Sequence, residues 1–312
     1  MINLFQRFDT VINTSKFSHH LHDECVTELE ETLCNFVGGK FACALSSATV
    51  AIELVGKYYA ASDQRFLIPA VIPPVVVNAL LESGAKFNLE DDGSWVGSSY
   101  IMSDVGIRGV HNTIIDSAQR IENKQIANFV NYIAIFSFYP TKPLGGMDGG
   151  LVVSDNKLLI DWLRKASRNG TSPSNNSWDR EVHFPGWKVY MNSFQARFIL
   201  DRFVTYERQL EKVKEIRDFY NKEFERSNKS DHIYTLMVED GDLVRKLMLE
   251  KGVVCGKHYT PVYKFKPYAN LKPAFAQASE LIDKHTITIP MHADMSLKDA
   301  EYIEKIIRDY IV

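Results

Sequence analysis

Residues 131–156 read NYIAIFSFYPTKPLGGMDGGLVVSDN. Two short apolar runs, rich in β-branched and aromatic residues, flank a turn built from Pro140, Lys142, Pro143 and a group of glycines. The runs have the length and composition of buried strands. Proline fixes φ and glycine permits a tight reversal, so the turn is a stiff mount for Lys142. A lysine that only solvates a surface needs no such setting, whereas one that must be held at a fixed point does.

Working outward, the pattern repeats. NTIIDSAQ (112–119) is an apolar run ending in Asp116, with Gln119 three residues on. FACAL predicts a short strand, SSAT a small-residue turn, and VAIELVGKYYA a helix. RFLIP, KFNLED and SSYIMSD read as further strands, and PPVVVNALLESGA as a helix with prolines at its start, where a missing N–H costs little. DECVTELEETLCNFVGG is an amphipathic helix closed by Gly38. This alternation predicts an α/β fold with a mostly parallel central sheet flanked by helices. Ligands bind such sheets beyond the carboxyl ends of the strands, which directs attention to residues 46–49, 116–119 and 137–142. Beyond residue 155 the chain turns helical, with a Ser/Asn/Pro-rich loop at 171–186. The tail mixes strands (HIYTLMV, TITIP) with helices, the last opening on a capping box of Ser296 and Asp299. A large domain over 1–227 and a smaller C-terminal α+β domain over 228–312 are expected.

The chain has 312 residues and a formal net charge of −3 with signs interspersed, which argues against a nucleic-acid surface. No apolar run is long enough to span a bilayer, and the opening MINLFQRFDTVINTS lacks a signal-peptide core. Cys25, Cys34, Cys43 and Cys255 show no CxxC spacing and read as buried reduced thiols of a cytoplasmic protein. His19, His20 and His22 could attract a metal, but no matching Cys or Asp set accompanies them, and a solvated helix entry is the better reading, so no metal is expected.

Taken singly, the polar strand ends are ordinary. Asp116 alone is a helix cap, Gln119 a turn residue, SSAT a cap, and Lys142 a snorkelling lysine. Together they complement one cofactor. The free N–H groups of a helix beginning at Ser47, Ala48 and Thr49 can hold a phosphate. A buried Asp116 can pair with a protonated ring nitrogen, and Lys142 can form a Schiff base. This is the protein's share of a pyridoxal 5'-phosphate (PLP) site.

These residues also carry a resemblance. FACALSSATVAIEL, IPAVIPPVVVNALLESGAKF, IIDSAQ, FSFYPTKPLGGMDGGLVVSDN and GWKVYMNSFQA resemble, in order, the motif blocks of the DegT/StrS group of PLP-dependent sugar-nucleotide aminotransferases, which have fold type I. KHYTPVYKFKPY and ITIPMHADMSLKDAEYIEKIIRDY resemble its C-terminal blocks, so the likeness runs from about residue 25 to the end. It implies that Lys142 is catalytic, that Asp116 meets the pyridine nitrogen, that Gln119 reaches the phenolic oxygen, and that Ser137 joins Ala48 and Thr49 on the phosphate. It implies a homodimer with shared active sites, in which Lys188 stands where an asparagine reaches the partner's phosphate. His258, Tyr259 and Tyr139 would face the substrate, a keto-sugar nucleotide, with glutamate as amino donor.

The departures are specific. Pro73 takes the place of an aromatic residue stacked on the cofactor, and Ala48 that of a glycine. GSWVGSSYIMSDVGIRGVHN is a shortened crossover, and SKFSHHLHDEC lacks the Thr/Ser-Gly-Pro turn near the substrate. Two other readings stay open at this point: a PLP-dependent sugar dehydratase or lyase, whose known examples carry histidine in place of the lysine, and a non-catalytic homologue that binds a sugar nucleotide.

Overall fold

The computed structural model describes residues 1–7, 17, 24–60, 65–107, 110–172 and 177–312. The histidine cluster at 19–22 lies outside them. In chain order the elements are α1 (Cys25–Val37), β1 (Phe41–Leu45), α2 (Ala48–Tyr59), β2 (Arg65–Pro69), α3 (Pro74–Ser83), β3 (Lys86–Glu90), β4 (Tyr100–Ile107), β5 (Val110–Asp116), β6 (Tyr132–Ser137), β7 (Gly150–Ser154) and α4 (Lys157–Ala166). They continue with α5 (Ser193–Phe203), α6 (Tyr206–Glu223), β8 (Tyr234–Met237), α7 (Gly241–Glu250), α8 (Gln277–His285), β9 (Thr286–Ile289) and α9 (Leu297–Ile307).

The main sheet has the order β1-β7-β6-β5-β4, and the parallel pair β2-β3 lies beside β4. Side chains of β6 alternate between the two faces, as the strand period requires. Ile133 and Ile135 join a core with α2, α3 and α4, while Ala134 and Phe136 join another with α1 and α5. Both faces are therefore covered, which explains why β6 and β7 read as continuous apolar runs. A third core gathers α6, β8, α7, β9 and α9 around Val213, Tyr234, Ile287 and Ile303.

The strand directions correct the expectation of a mostly parallel sheet. Within the five-stranded sheet only β5-β6 is parallel, while β1-β7, β6-β7 and β4-β5 are antiparallel. For β4 and β5 the cause is connection length. Parallel neighbours need a crossover of about a dozen residues or more, and β5 begins at Val110 directly after β4 ends at Ile107. The shortened crossover thus becomes a hairpin. The Lys142 turn is likewise the loop of the β6–β7 hairpin.

Local signals mark the element ends as expected. Gly38 adopts the left-handed conformation (φ 80°) after α1, and the Ser47 side chain caps α2 by accepting from the Val50 N–H at 3.2 Å. Ser296 and Asp299 form the capping box of α9. No disulfide joins any of the four cysteines. Among the described residues no helix is long and apolar enough to cross a membrane, and no cluster of His, Cys, Asp and Glu could hold a metal.

Candidate active site

Register aligns the chemistry. Gly150 opens β7 opposite both Leu45 of β1 and Ser137 of β6, and Asp116 ends β5 opposite Ile135 of β6 and Tyr100 of β4. Neighbouring strands lie about 4.8 Å apart, so the ends of β1, β6 and β5 form one rim. A Cβ on Gly150 would meet the Ser47 carbonyl carbon and oxygen at 2.5 Å and the Ala48 nitrogen at 2.6 Å. Glycine there lets β7 pass directly under the start of α2. Ser47 is occupied as a cap, which leaves the Ala48 and Thr49 N–H groups without an acceptor among the described residues.

The Lys142 turn is closed by backbone bonds. The Lys142 N–H donates to the Tyr139 carbonyl at 2.9 Å, Gly146 N–H to the Phe138 carbonyl at 2.8 Å, and Phe138 N–H to the Gly149 carbonyl at 2.9 Å. A Cβ on Gly145 would lie 2.3 Å from the Pro140 carbonyl oxygen, so the reversal requires glycine. Lys142 as a residue is half-buried, while its ammonium end is enclosed. That enclosure pushes the amine down to about 8, with the negative charge of Asp116 opposing the shift.

Asp116 is 3% exposed. Its Oδ1 accepts from the Ala118 N–H at 2.8 Å and its Oδ2 from the Tyr100 hydroxyl at 2.9 Å. Burial raises its proton affinity, and those two donors and Lys142 oppose the rise. Gln119 is also buried. Its Oε1 accepts from the Gly97 N–H at 2.5 Å, and its Nε2 donates to the Tyr259 hydroxyl at 2.6 Å. Tyr259 stacks on Trp95 with ring centres 6.0 Å apart, and Trp95 contacts Tyr100 at 4.9 Å.

Two histidines stand near Lys142. His258 pairs its Nδ1 with the Thr288 hydroxyl at 2.8 Å, and burial pushes it down to about 4, with Lys142 adding to the shift. His232 is buried and held well below its ordinary value by burial, then by Lys142 and His258. Phe5 stacks on His232 at 5.6 Å and meets His258 edge-on at 5.7 Å. A cavity of about 450 Å³, lined in part by Gly97, Ser98, Gln119, Pro143, Asn228 and Ser230, opens beside these groups.

The structure thus brings Lys142, Asp116, Gln119, His258 and Tyr259 together, with Ser137, Ser47, Ala48 and Thr49 along the same rim. The Ser137 hydroxyl accepts from the Tyr139 N–H at 3.3 Å, and the Tyr139 side chain is exposed. Pro73 caps the start of α3 and is half-buried. Lys188 does not join the group within one chain. Its side chain is exposed and its backbone bridges Arg168. The segment that carries it does run beside the phosphate turn, since the Ser46 N–H donates to the Val189 carbonyl at 2.9 Å. Sequence reasoning missed Trp95, Tyr100 and His232. The Trp and Tyr within the short crossover were the available signal for the first two; His232, at the edge of a strand-like run, offered none.

The fold is that of the fold type I transferases. Solved structures of similar shape include an aminotransferase TlmJ from Streptoalloteichus hindustanus (TM-score 0.81, 16% identity, 99% of this chain and 98% of that one). Helicobacter pylori PseC, an aminotransferase involved in the biosynthesis of pseudoaminic acid, follows with TM-score 0.75, 20% identity and coverage of 94% and 92%. A Campylobacter jejuni protein named UDP-4-amino-4,6-dideoxy-N-acetyl-beta-L-altrosamine transaminase is 26% identical, over 89% of this chain and 88% of its own. The model of the DegT/DnrJ/EryC1/StrS aminotransferase family matches residues 114–308, and the chain belongs to that family.

Proposed function

We propose that the protein is a PLP-dependent aminotransferase that moves an amino group from glutamate to a keto-sugar nucleotide. One juxtaposition carries the reading: the closed Lys142 turn follows β6, and β6 pairs with β5, whose last residue is the buried Asp116. The residues present fit the cofactor. The N–H groups of Ala48 and Thr49 and the hydroxyl of Ser137 suit its phosphate, Asp116 its ring nitrogen, and Gln119 its phenolic oxygen. Pro73 offers packing without a π surface. Bound there, PLP supplies a ring that withdraws the electron pair left on the substrate carbon when its proton departs.

The chain's own groups do the rest. Asp116, as carboxylate, favours a protonated ring nitrogen. Lys142 would hold the cofactor covalently, and its Nζ, once released, carries a proton between substrate and cofactor carbons. An amine lowered to about 8 is suited to that exchange near neutrality. His258, Tyr259 and Tyr139 line the approach, and the cavity beside Gln119 gives a substrate room. The transaminase name of the Campylobacter relative supports a nucleotide-linked sugar as acceptor. We assign the protein to the cytoplasm as a homodimer in which Lys188 serves the partner's phosphate site, with a domain division near residue 228.

The test is direct. Purified protein with PLP should develop an absorbance band near the visible edge that is lost in Lys142→Ala. Glutamate with a panel of keto-sugar nucleotides should then give an amino sugar by mass spectrometry. Protein that takes up no PLP removes the reading.

A further inference from the structure

Tyr100 begins β4 directly opposite Asp116, the last residue of β5. It is 9% exposed, and its ring is fixed against Trp95. Its hydroxyl donates to Asp116 Oδ2 at 2.9 Å, while Oδ1 is held by the Ala118 N–H at 2.8 Å. Each carboxylate oxygen has two acceptor sites, and each has taken one donor, so both keep room for a further one. We propose that Tyr100 is a positioning residue for Asp116, holding its carboxylate ionised and in one orientation toward the ring nitrogen of bound PLP. The proposal rests on the PLP reading above and adds to it a residue on the hairpin that replaces the crossover.

Desolvation favours the neutral acid. A neutral Asp116 would be a poor partner for a protonated ring nitrogen. The groups facing Asp116 are Tyr100, Tyr259 and Lys142. Lys142 would no longer be a free ammonium while it holds the cofactor. The Tyr259 hydroxyl accepts from Gln119, and among the described residues it makes no hydrogen bond to Asp116. That leaves Tyr100 and the Ala118 N–H as the donors that keep the carboxylate charged. Both act before the cofactor arrives, so the site is preorganised.

Tyr100→Phe keeps the ring and removes the donor. The dissociation constant for PLP, read by absorbance and fluorescence, should rise about 10- to 100-fold, in line with loss of a hydrogen bond to a charged group. The absorbance of the loaded variant should titrate at a different pH from the wild type. In an Asp116→Asn background the same change should have little further effect, because Tyr100 acts through Asp116. The ¹⁵N shift of labelled PLP on the wild type should report a protonated ring nitrogen, a readout that does not depend on the variant folding. A Tyr100→Phe protein matching the wild type in affinity and titration overturns the role of Tyr100 alone. A neutral ring nitrogen in the wild type overturns it as well. Wild-type protein that binds no PLP overturns the functional reading first, and this proposal with it.

Discussion

Glu30 and Asp116 are carboxylates of similar burial, 5% and 3% exposed, and burial raises the proton affinity of both. Their surroundings differ. Glu30 on α1 forms an ion pair with Arg164 of α4, and its second oxygen accepts from the Ala44 N–H of β1 at 2.7 Å. Arg164 also donates to the Ala42 carbonyl at 2.7 Å. The cluster is closed on itself and ties two helices to the edge strand β1. Asp116 instead has two neutral donors, and a lysine whose charge it senses. The first carboxylate has a hydrogen-bonded cation supplied by the fold, while the second has only neutral donors in contact and stays open to a charged partner the chain does not supply. A buried charge left open in this way is a mark of a site, and one closed on itself is a mark of a joint.

The strongest way to break the contrast is through Lys142. Lys142→Ala should lower amino transfer by about 10³-fold or more, since it removes both the anchor and the proton carrier. The fold should persist, because the turn is held by backbone bonds and glycines rather than by the lysine side chain. Steady-state rates and a circular dichroism melt check the two halves. Loss of folding together with activity would make Lys142 structural.

The two carboxylates should then separate by what their removal costs. Glu30→Ala strands Arg164 and should destabilise the protein by about 2–3 kcal/mol in urea unfolding, at the low end for a broken buried pair because Arg164 is partly solvated. Asp116→Asn should leave the stability of the cofactor-free protein unchanged or slightly higher, while activity falls about 100-fold or more. Equal stability losses for the two would collapse the distinction.

Little of this contrast is visible in sequence. Helix periodicity, glycine and proline placement and caps are local, so α1, the Lys142 turn and the α9 capping box could all be read from short windows. The order of Asp116, Gln119, Ser137 and Lys142 could be read because Asp116 and Ser137 end apolar runs and Gln119 and Lys142 follow them closely. Strand direction could not, because it depends on whether a connection is long enough to cross over. Glu30 looks like any charge on an amphipathic helix. Its partner lies 134 residues away, and only the packed sheet brings the two together. Tyr100 is hidden for the same reason, since its meaning comes from cross-strand register with Asp116.

The pH dependence sharpens the contrast in the cofactor-free protein. Folded Lys142 releases its proton at about 8, below its ordinary 10.5. Between those values the unfolded chain binds more protons, so stability rises with pH across that window. Below about pH 8 the penalty for enclosing the amine is complete, and above 10.5 it is gone. Lys142→Met should therefore stabilise the protein at pH 7 by on the order of 2 kcal/mol, and the gain should fade toward pH 10.5. Urea unfolding at the two pH values is the measurement. A gain independent of pH would come from packing and not from charge.

The smallest expected effect separates two helix caps of the same chemistry. Ser47 caps α2 through the Val50 N–H, and Ser296 caps α9 through the Asp299 N–H, each at 3.2 Å. Replacing either with alanine removes one acceptor at a helix start and should cost about 1 kcal/mol of stability. Only one cap belongs to the rim where Ser137 and Gly150 meet. Loss of the Ser47 side chain lets the first turn of α2 fray, and the Ala48 and Thr49 N–H groups lose their fixed aim. Ser47→Ala should therefore weaken PLP binding several-fold in addition to its stability cost, while Ser296→Ala should leave the affinity alone. Because Gly150 packs directly beneath Ser47, the backbone at that turn has little space to readjust, so the affinity loss should persist at low temperature, where both variants are fully folded. Equal PLP affinity in the two variants would mean that the α2 turn is held by β7 alone, with no contribution from its cap.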